Sequence, residues 1–534
     1  MTVAREGVLF LRHGNLWTGD SRRPRAESML VRGDRILAVG SDEALSNLPE
    51  AAGAVRYELN GVSVLPGFSD CHIHVLASAK AMYAVDLSAC GSFEEVRRRI
   101  EAHGASVPPD TWVYATNLNE ARWDAPVLPD AETLDRIAIP NPLLIHRVCT
   151  HATLLNSRAL ELVGEEAFDG IAGVGRDAAG RLSGVLVEAA QLPAHRALRR
   201  SLYTRSRLLK YLEGFLERAA SLGLTSLHTC GASSLGMVED LSLYQEMQRL
   251  GTLRCRIFSV HDEFSVPPMS AGLRDGWVTY EGFKLFLDGS LGARTAALSS
   301  PYADAGGSGM LLHTHRYLME AMEKAVERGN IILSHAIGDA AVEQLLDVIE
   351  ALGAKGTVPA FPYLLNHVQV CRPDQLERMR TLPVACVVQP TYVASDIDMA
   401  PARLGERERW TCMWKRFVDA GVMLCGSSDA PIEELNPLYA IWNLVNRTDD
   451  AGIREWNPDQ KLTLDEALHV YTVNPARAYG TWGWNGSLSA GKAADFLILD
   501  RDLFAIHPME LREAAVAHTF VDGRATHGGL QGWP

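Results

Sequence analysis

Six residues with the chemistry to hold a metal ion stand at the ends of apolar runs along this chain. His72 and His74 close the run Leu65-Pro66-Gly67-Phe68-Ser69-Asp70-Cys71-His72-Ile73-His74-Val75, and Lys284, His335, His367 and Asp429 follow further on. Alternate side chains of a strand share a face, so His72 and His74 are expected to point one way and Cys71, Ile73 and Val75 the other. Neutral imidazole is a common ligand of zinc-like ions, and two of them one pleat apart can grip a single ion from a rigid element. Each residue alone has a plainer reading. A His-x-His can be two core histidines, His335 and His367 can each bond to backbone, and Asp429 before Ala430-Pro431 suits a helix cap. Lys284 must be paired, neutral or modified, because an isolated buried ammonium is costly. A plain lysine paired with Asp288 or Asp70 beside a single ion is one solution. Taken together, four histidines, a lysine and an aspartate at successive strand ends have no cheap structural purpose.

The elements that must position them are legible as a repeat. Beyond the His-x-His run, apolar runs at 224–228, 255–259, 283–287, 331–335, 363–367, 385–389 and 422–426 read as strands. Helix-period stretches follow the later ones, as from Asp339 to Leu352, and eight such units are the content of a TIM-type (β/α)8 barrel, an α/β fold. Within 283–288, period-two counting turns Phe283, Leu285 and Leu287 to the helices and Lys284, Phe286 and Asp288 to the interior. Both ends of the chain carry short alternating runs, with a hairpin signal at Gly33-Asp34. Neither end has strands enough for its own core, so 1–64 plus 485–534 are expected to form one small β-sandwich around a barrel at 65–484. The spacing breaks once, and 76–220 reads as a large insertion after the first barrel strand. It holds β-like runs at 112–114 and 142–148 and helical stretches at 93–103 and 192–220. Barrel active sites sit among the loops at the C-terminal face, so the insertion is expected to lie over the mouth and supply specificity contacts.

Composition bounds the function. With 534 residues, 47% apolar and 22% charged, the chain can bury a large core and offers no long uninterrupted apolar stretch for a membrane span. Its start lacks the apolar core of a signal peptide, which makes the cytoplasm the expected compartment. A net charge of -14 argues against a nucleic-acid partner and for a small-molecule substrate. Nine cysteines without a CxxC pair fit reduced, buried thiols, Cys71, Cys386 and Cys425 among them. A homodimer is the expected assembly.

The ordered motifs resemble those of the amidohydrolase superfamily, in the branch of N-substituted formamide deformylases (metal-dependent amidohydrolase family 3). They are the His-x-His run, Lys284-Leu285-Phe286-Leu287-Asp288-Gly289-Ser290, His335-Ala336-Ile337-Gly338-Asp339, Asn366-His367-Val368-Gln369, Gly426-Ser427-Ser428-Asp429-Ala430-Pro431 and Gly486-Ser487-Leu488 through Asp495-Phe496. The resemblance covers nearly the whole chain. It implies that His72, His74, His335, His367 and Asp429 are metal ligands, and that Lys284, carboxylated by carbon dioxide, bridges two ions. It implies a divalent metal cofactor, zinc by its histidine-rich ligation, with one ion or two. Asp429 would be catalytic, taking a proton from a metal-activated hydroxide's parent water and delivering it to the leaving amine. The implied reaction is hydrolysis of a non-peptide carbon–nitrogen bond in an N-acyl or N-formyl amine or a cyclic amide. A deaminase or other hydrolase with a mononuclear site is the enzymatic alternative, and a non-catalytic scaffold on the same barrel the other. His151, Arg294 and Trp112 are candidate substrate contacts, against a supporting hydrogen bond to a neighbouring side chain for His151 and loop bracing for Arg294. Where relatives commonly end the second barrel strand with His-Asp, this chain has His228-Thr229.

Overall fold

The computed structural model describes residues 7–124, 126–148, 151–231, 237–262, 272 and 274–533. The chain divides into two compact units, Met1–Val75 with Leu216–Pro534, and Leu76–Phe215. In the larger unit eight parallel strands run in sequence order: β1 (Phe68–Ile73), β2 (Leu224–Gly231), β3 (Arg256–Asp262), β4 (Val278–Phe286), β5 (Ile331–Ala336), β6 (Tyr363–His367), β7 (Val384–Val388) and β8 (Met423–Gly426). Two backbone bonds bring the last strand's end to the first's. Asp429 N donates to His72 O at 2.8 Å and His74 N to Ala430 O at 2.9 Å. The result is a near-closed (β/α)8 barrel.

The sequence builds these layers by parity. Ile331, Leu333, Leu364, Ala385, Val387 and Cys425 meet in one apolar cluster that fills the barrel. In the helix Asp339–Ala354, Val342, Leu345, Leu346, Ile349 and Leu352 form the buried stripe, at the spacing of one helical face. Lys284 pairs in register with Leu333, an interior residue, while its neighbours Phe283 and Leu285 line a cavity of about 220 Å³ with Tyr317 and Ala321 of the helix His315–Glu327. The interior side of Lys284 is therefore as the alternation requires. β1 departs from strict alternation. Its register against β2 shifts twice, Cys71 joins the interior cluster instead of facing the helices, and His74 lies one residue past the strand's end.

Two small sheets share a core in the same unit. One comprises Val8–Arg12, Ser28–Arg32, Arg35–Gly40 and Val55–Glu58, with a two-residue turn at Gly33-Asp34. The other mixes the termini, pairing Ser63–Pro66 with Phe496–Leu499, and their facing side chains, Leu11, Val31, Val64, Phe496 and Phe520 among them, pack together. The unit Leu76–Phe215 is built on a six-stranded sheet that includes Val113–Leu118 and Leu143–Arg147 in parallel. The helical stretch expected over 192–220 is two helices, Leu192–Leu202 and Arg205–Ser221. Eight cysteines are free and buried, and the ninth, Cys149, lies outside the described residues. Among the described residues no helix is long and apolar enough to cross a membrane.

Candidate metal centre

Ligand atoms of His72, His367 and Asp429, carried on the ends of β1, β6 and β8, all lie within 4.8 Å of one another. All three residues are buried. Asp429 Oδ1 stands 3.1 Å from His72 Nε2 and 3.2 Å from His74 Nε2, so both members of the His-x-His reach the same carboxylate. His335 packs beside them, its ring centroid 4.5 Å from that of His367. Its Nε2 faces Gly289 O at 3.0 Å, so this ring stands outside the three-residue cluster. Two of the cluster's residues hold a backbone conformation that side chains disfavour, with φ of 76° at His367 and 55° at Asp429. Such conformations cost about 1–3 kcal/mol and gather where function demands a particular placement.

The rings are held from outside. His74 Nδ1 donates to Cys230 O at 2.8 Å, and His367 Nδ1 to Gln389 Oε1 at 2.8 Å, which leaves each Nε2 facing the centre. Gln389 is fixed in turn by its own nitrogen, which donates to Ser427 Oγ at 2.8 Å. The Asp70 carboxylate accepts from His72 N at 3.2 Å, Ser428 N at 3.1 Å and Ser428 Oγ at 2.5 Å. It ties β1 to the segment after β8 next to two of the ligands. Asp288 does the same between neighbouring loops, accepting from Ala297 N, Ile337 N and Gly338 N at 2.9, 3.0 and 2.8 Å, with His335 Nε2 3.4 Å away.

These positioning residues escaped the sequence reading, although Asp70 and Asp288 both lie inside the quoted motifs. They also correct it for Lys284. Asp70 and Asp288 are engaged by backbone and hydroxyl donors, and Lys284 Nζ instead lies 3.3 Å from His72 Nε2.

Burial sets the protonation of the centre. It lowers His72 to about 3, helped by Lys284, and His335 to about 4, and it holds His367 well below the ordinary imidazole range. Neutral rings are the form that ligates a cation. Burial also lowers Lys284, whose 1% exposure leaves its amine out of water. For Asp429 burial acts upward, but His72, His74 and His367 outweigh it and keep the carboxylate ionised. Burial raises Asp70 to about 7 against the pull of its donors. A donor set of neutral imidazoles and one carboxylate suits a divalent cation. The fit has a direct mark: two imidazole nitrogens, His72 Nε2 and His74 Nε2, converge at 3.1 and 3.2 Å on one oxygen of the buried Asp429 carboxylate.

Each of the three candidate substrate contacts has partners within its own unit. Trp112 is in the apolar core of the unit Leu76–Phe215, packed with Leu144, Leu155 and Phe168. A large indole on a strand-edge segment goes where it buries most area, and here that is the unit's own core. His151 is exposed in the same unit, its Nδ1 3.0 Å from Glu188. Arg294 makes a two-bond pair with Asp304 at 2.9 and 3.0 Å, bracing the loop after β4. In β2, His228 bonds Glu281 at 3.0 Å inside the barrel, and Thr229 accepts Val75 N at 3.2 Å, so the departure at Thr229 serves the backbone after the His-x-His.

Residues 57–527 match the model of the amidohydrolase family. The chain is 29% identical over 556 aligned residues to the N-substituted formamide deformylase of Arthrobacter pascens, covering 98% of each protein. It is similar in structure to an uncharacterized metal-dependent hydrolase of Pyrococcus horikoshii, with a TM-score of 0.78 and 27% identity over 94% of this chain and 99% of that one. A second such hydrolase, from Pyrococcus furiosus, gives a TM-score of 0.76 at 27% identity over 94% of this chain and 100% of that one.

Proposed function

The chain belongs to the amidohydrolase family and is a metal-dependent hydrolase acting on a carbon–nitrogen bond, and we propose that the bond is the amide of an N-acyl or N-formyl amine, or of a cyclic amide. The observation that carries this reading is the convergence of ligand atoms of the buried His72, His367 and Asp429 within 4.8 Å of one another. The likeness to a formamide deformylase over nearly the full length supports the N-formyl class. We further propose zinc as the ion, His74 and His335 as additional ligands, and a carboxylated Lys284 that lets the centre hold two ions.

A divalent cation bound here supplies Lewis acidity, acidifying water and polarising the acyl oxygen. The chain's own residues do the rest. His72 and His367 present neutral nitrogens at fixed angles because Asp70 and Gln389 hold their strands and rings. Asp429 is ionised and takes a proton from the attacking water as the carbon–oxygen bond forms. It returns that proton to the leaving nitrogen as the carbon–nitrogen bond breaks, so a carboxylic acid and a free amine result. Burial of Lys284 favours the neutral amine that reacts with carbon dioxide. A cytoplasmic setting fits the eight free cysteines.

The test is a substrate panel of N-formyl amines, N-acyl amines, cyclic amides and amino-substituted heterocycles. Acid and amine released together from the N-formyl or N-acyl compounds is the expected result. Ammonia released from the heterocycles alone would replace this reading by a deaminase, which a single three-residue centre also suits. For Lys284, activity lost in Lys284→Ala should return in part with short carboxylic acids, and Lys284→Arg should stay inactive, since guanidinium neither takes up carbon dioxide nor ligates a cation. Failure of every short acid to restore the alanine variant would count against the carboxylated lysine.

A further inference from the structure

Asn366 is the penultimate residue of β6, immediately before His367, and is fully buried. A half-turn of its carboxamide exchanges the places of nitrogen and oxygen. With the nitrogen inward, that atom lies 2.8 Å from His367 Nε2. With the oxygen inward, it lies 2.9 Å from Lys284 Nζ, 2.8 Å from His367 Nε2 and 3.2 Å from His72 Nε2, and the nitrogen, turned out, donates to Val387 O at 3.3 Å. Of the three nitrogens, which arrive on β1, β4 and β6, the Lys284 amine is the one that donates to the inward oxygen whichever tautomer the rings adopt. His367 Nδ1 is already spent on Gln389, so the ring offers its Nε2 lone pair inward. A cation that takes that lone pair leaves an inward amide nitrogen with nothing to donate to. The inward oxygen keeps Lys284 as its donor, and a carboxylated lysine retains one N–H for the same bond.

We propose that Asn366 is a positioning residue of the metal centre, its carboxamide oxygen fixing Lys284 Nζ beside the histidine ligands. This rests on the metal-centre reading above. A residue one bond removed from the ligands is expected to be worth about 10–100-fold in metal affinity.

The experiment measures zinc affinity by competition with a chromophoric chelator, and the visible spectrum of the cobalt-loaded protein, for the full chain and its variants. Asn366→Ser removes the carboxamide; Asn366→Asp keeps an oxygen at the same place; Asn366→Leu, close in shape, serves if the serine variant does not fold. Loss of zinc affinity by about 10–100-fold in the serine or leucine variant, an altered cobalt spectrum, and recovery of both in the aspartate variant are expected. In a Lys284→Met background, Asn366→Ser should cause no further loss. Unchanged affinity and spectrum in the serine or leucine variant, equal loss in the serine and aspartate variants, or the full loss persisting without Lys284 would each overturn the proposal. Wild-type protein that takes up no divalent metal would overturn the underlying reading as well.

Discussion

Asp429 has two duties at one position, since it belongs to the cluster that holds the ion and is also the proton carrier. The two separate in Asp429→Asn, which keeps the shape and an oxygen but cannot accept the proton. At saturating zinc, kcat for amide hydrolysis should fall by about 10²–10⁴, the usual worth of a placed acid–base group. A variant that regains wild-type kcat once zinc is added in excess would reduce Asp429 to a ligand. The ligand residues could be picked out of the sequence because each is a histidine, lysine or aspartate at the end of an apolar run. The residues that hold them could not. Asp70 acts across 358 positions of chain on Ser428, and only closure of β8 onto β1 brings the two together. Gln389 reads from sequence as the last residue of an apolar strand, and its bond to His367 depends on the register of β6 against β7.

Strand registers also explain where alternation failed. Lys284 lies on the interior side of β4, as its neighbours demand. β1 slips twice against β2, so a count by twos misassigns Cys71 while still leaving His72 and His74 on one carboxylate. The helix break at Tyr203-Thr204 carries no glycine or proline to announce it. The unit Leu76–Phe215 contributes a titrating element of its own. His195 on the helix Leu192–Leu202 sits 3.1 Å from Thr153 Oγ1 on a sheet strand, and burial, with His146 nearby, lowers it to about 4. In the unfolded chain the same ring protonates near its ordinary value of 6.5. Between these values the unfolded state binds the extra proton, so acidification costs the native state stability and the loss is absent above about pH 6.5. His195→Gln removes that term. In urea unfolding, wild type should weaken relative to the glutamine variant by up to about 1.4 kcal/mol per pH unit as pH falls through this window. A difference that is constant with pH, or that grows in favour of wild type, would show that His195 is not a buried neutral ring.

At the scale of the molecule, barrel and sandwich are joined by a buried ion cluster. Arg256, which opens β3, bonds Asp495 at 3.0 and 3.1 Å and Asp522 at 2.5 Å, both from the C-terminal strands and their turns. Its side chain is 2% exposed. Removing the cation leaves Asp495 buried without its partner. Arg256→Met should therefore lower unfolding free energy by about 3–5 kcal/mol, while residual folded protein keeps its metal, because the joint lies at the opposite end of the strands from the centre. A loss below about 1 kcal/mol would mean the pair is solvated and counts as a surface bridge. The same separation of ends makes the central claim testable without disturbing the fold. Metal content by elemental analysis, measured with the rate of N-acyl amine hydrolysis before chelation, after it, and on return of zinc, addresses that claim most directly. The account predicts at least one divalent ion per chain, loss of activity in proportion to metal removed, recovery with zinc, and little bound metal in the folded His72→Ala/His74→Ala variant. Full hydrolytic activity in protein stripped of metal, or stoichiometric metal in that double variant, would contradict it.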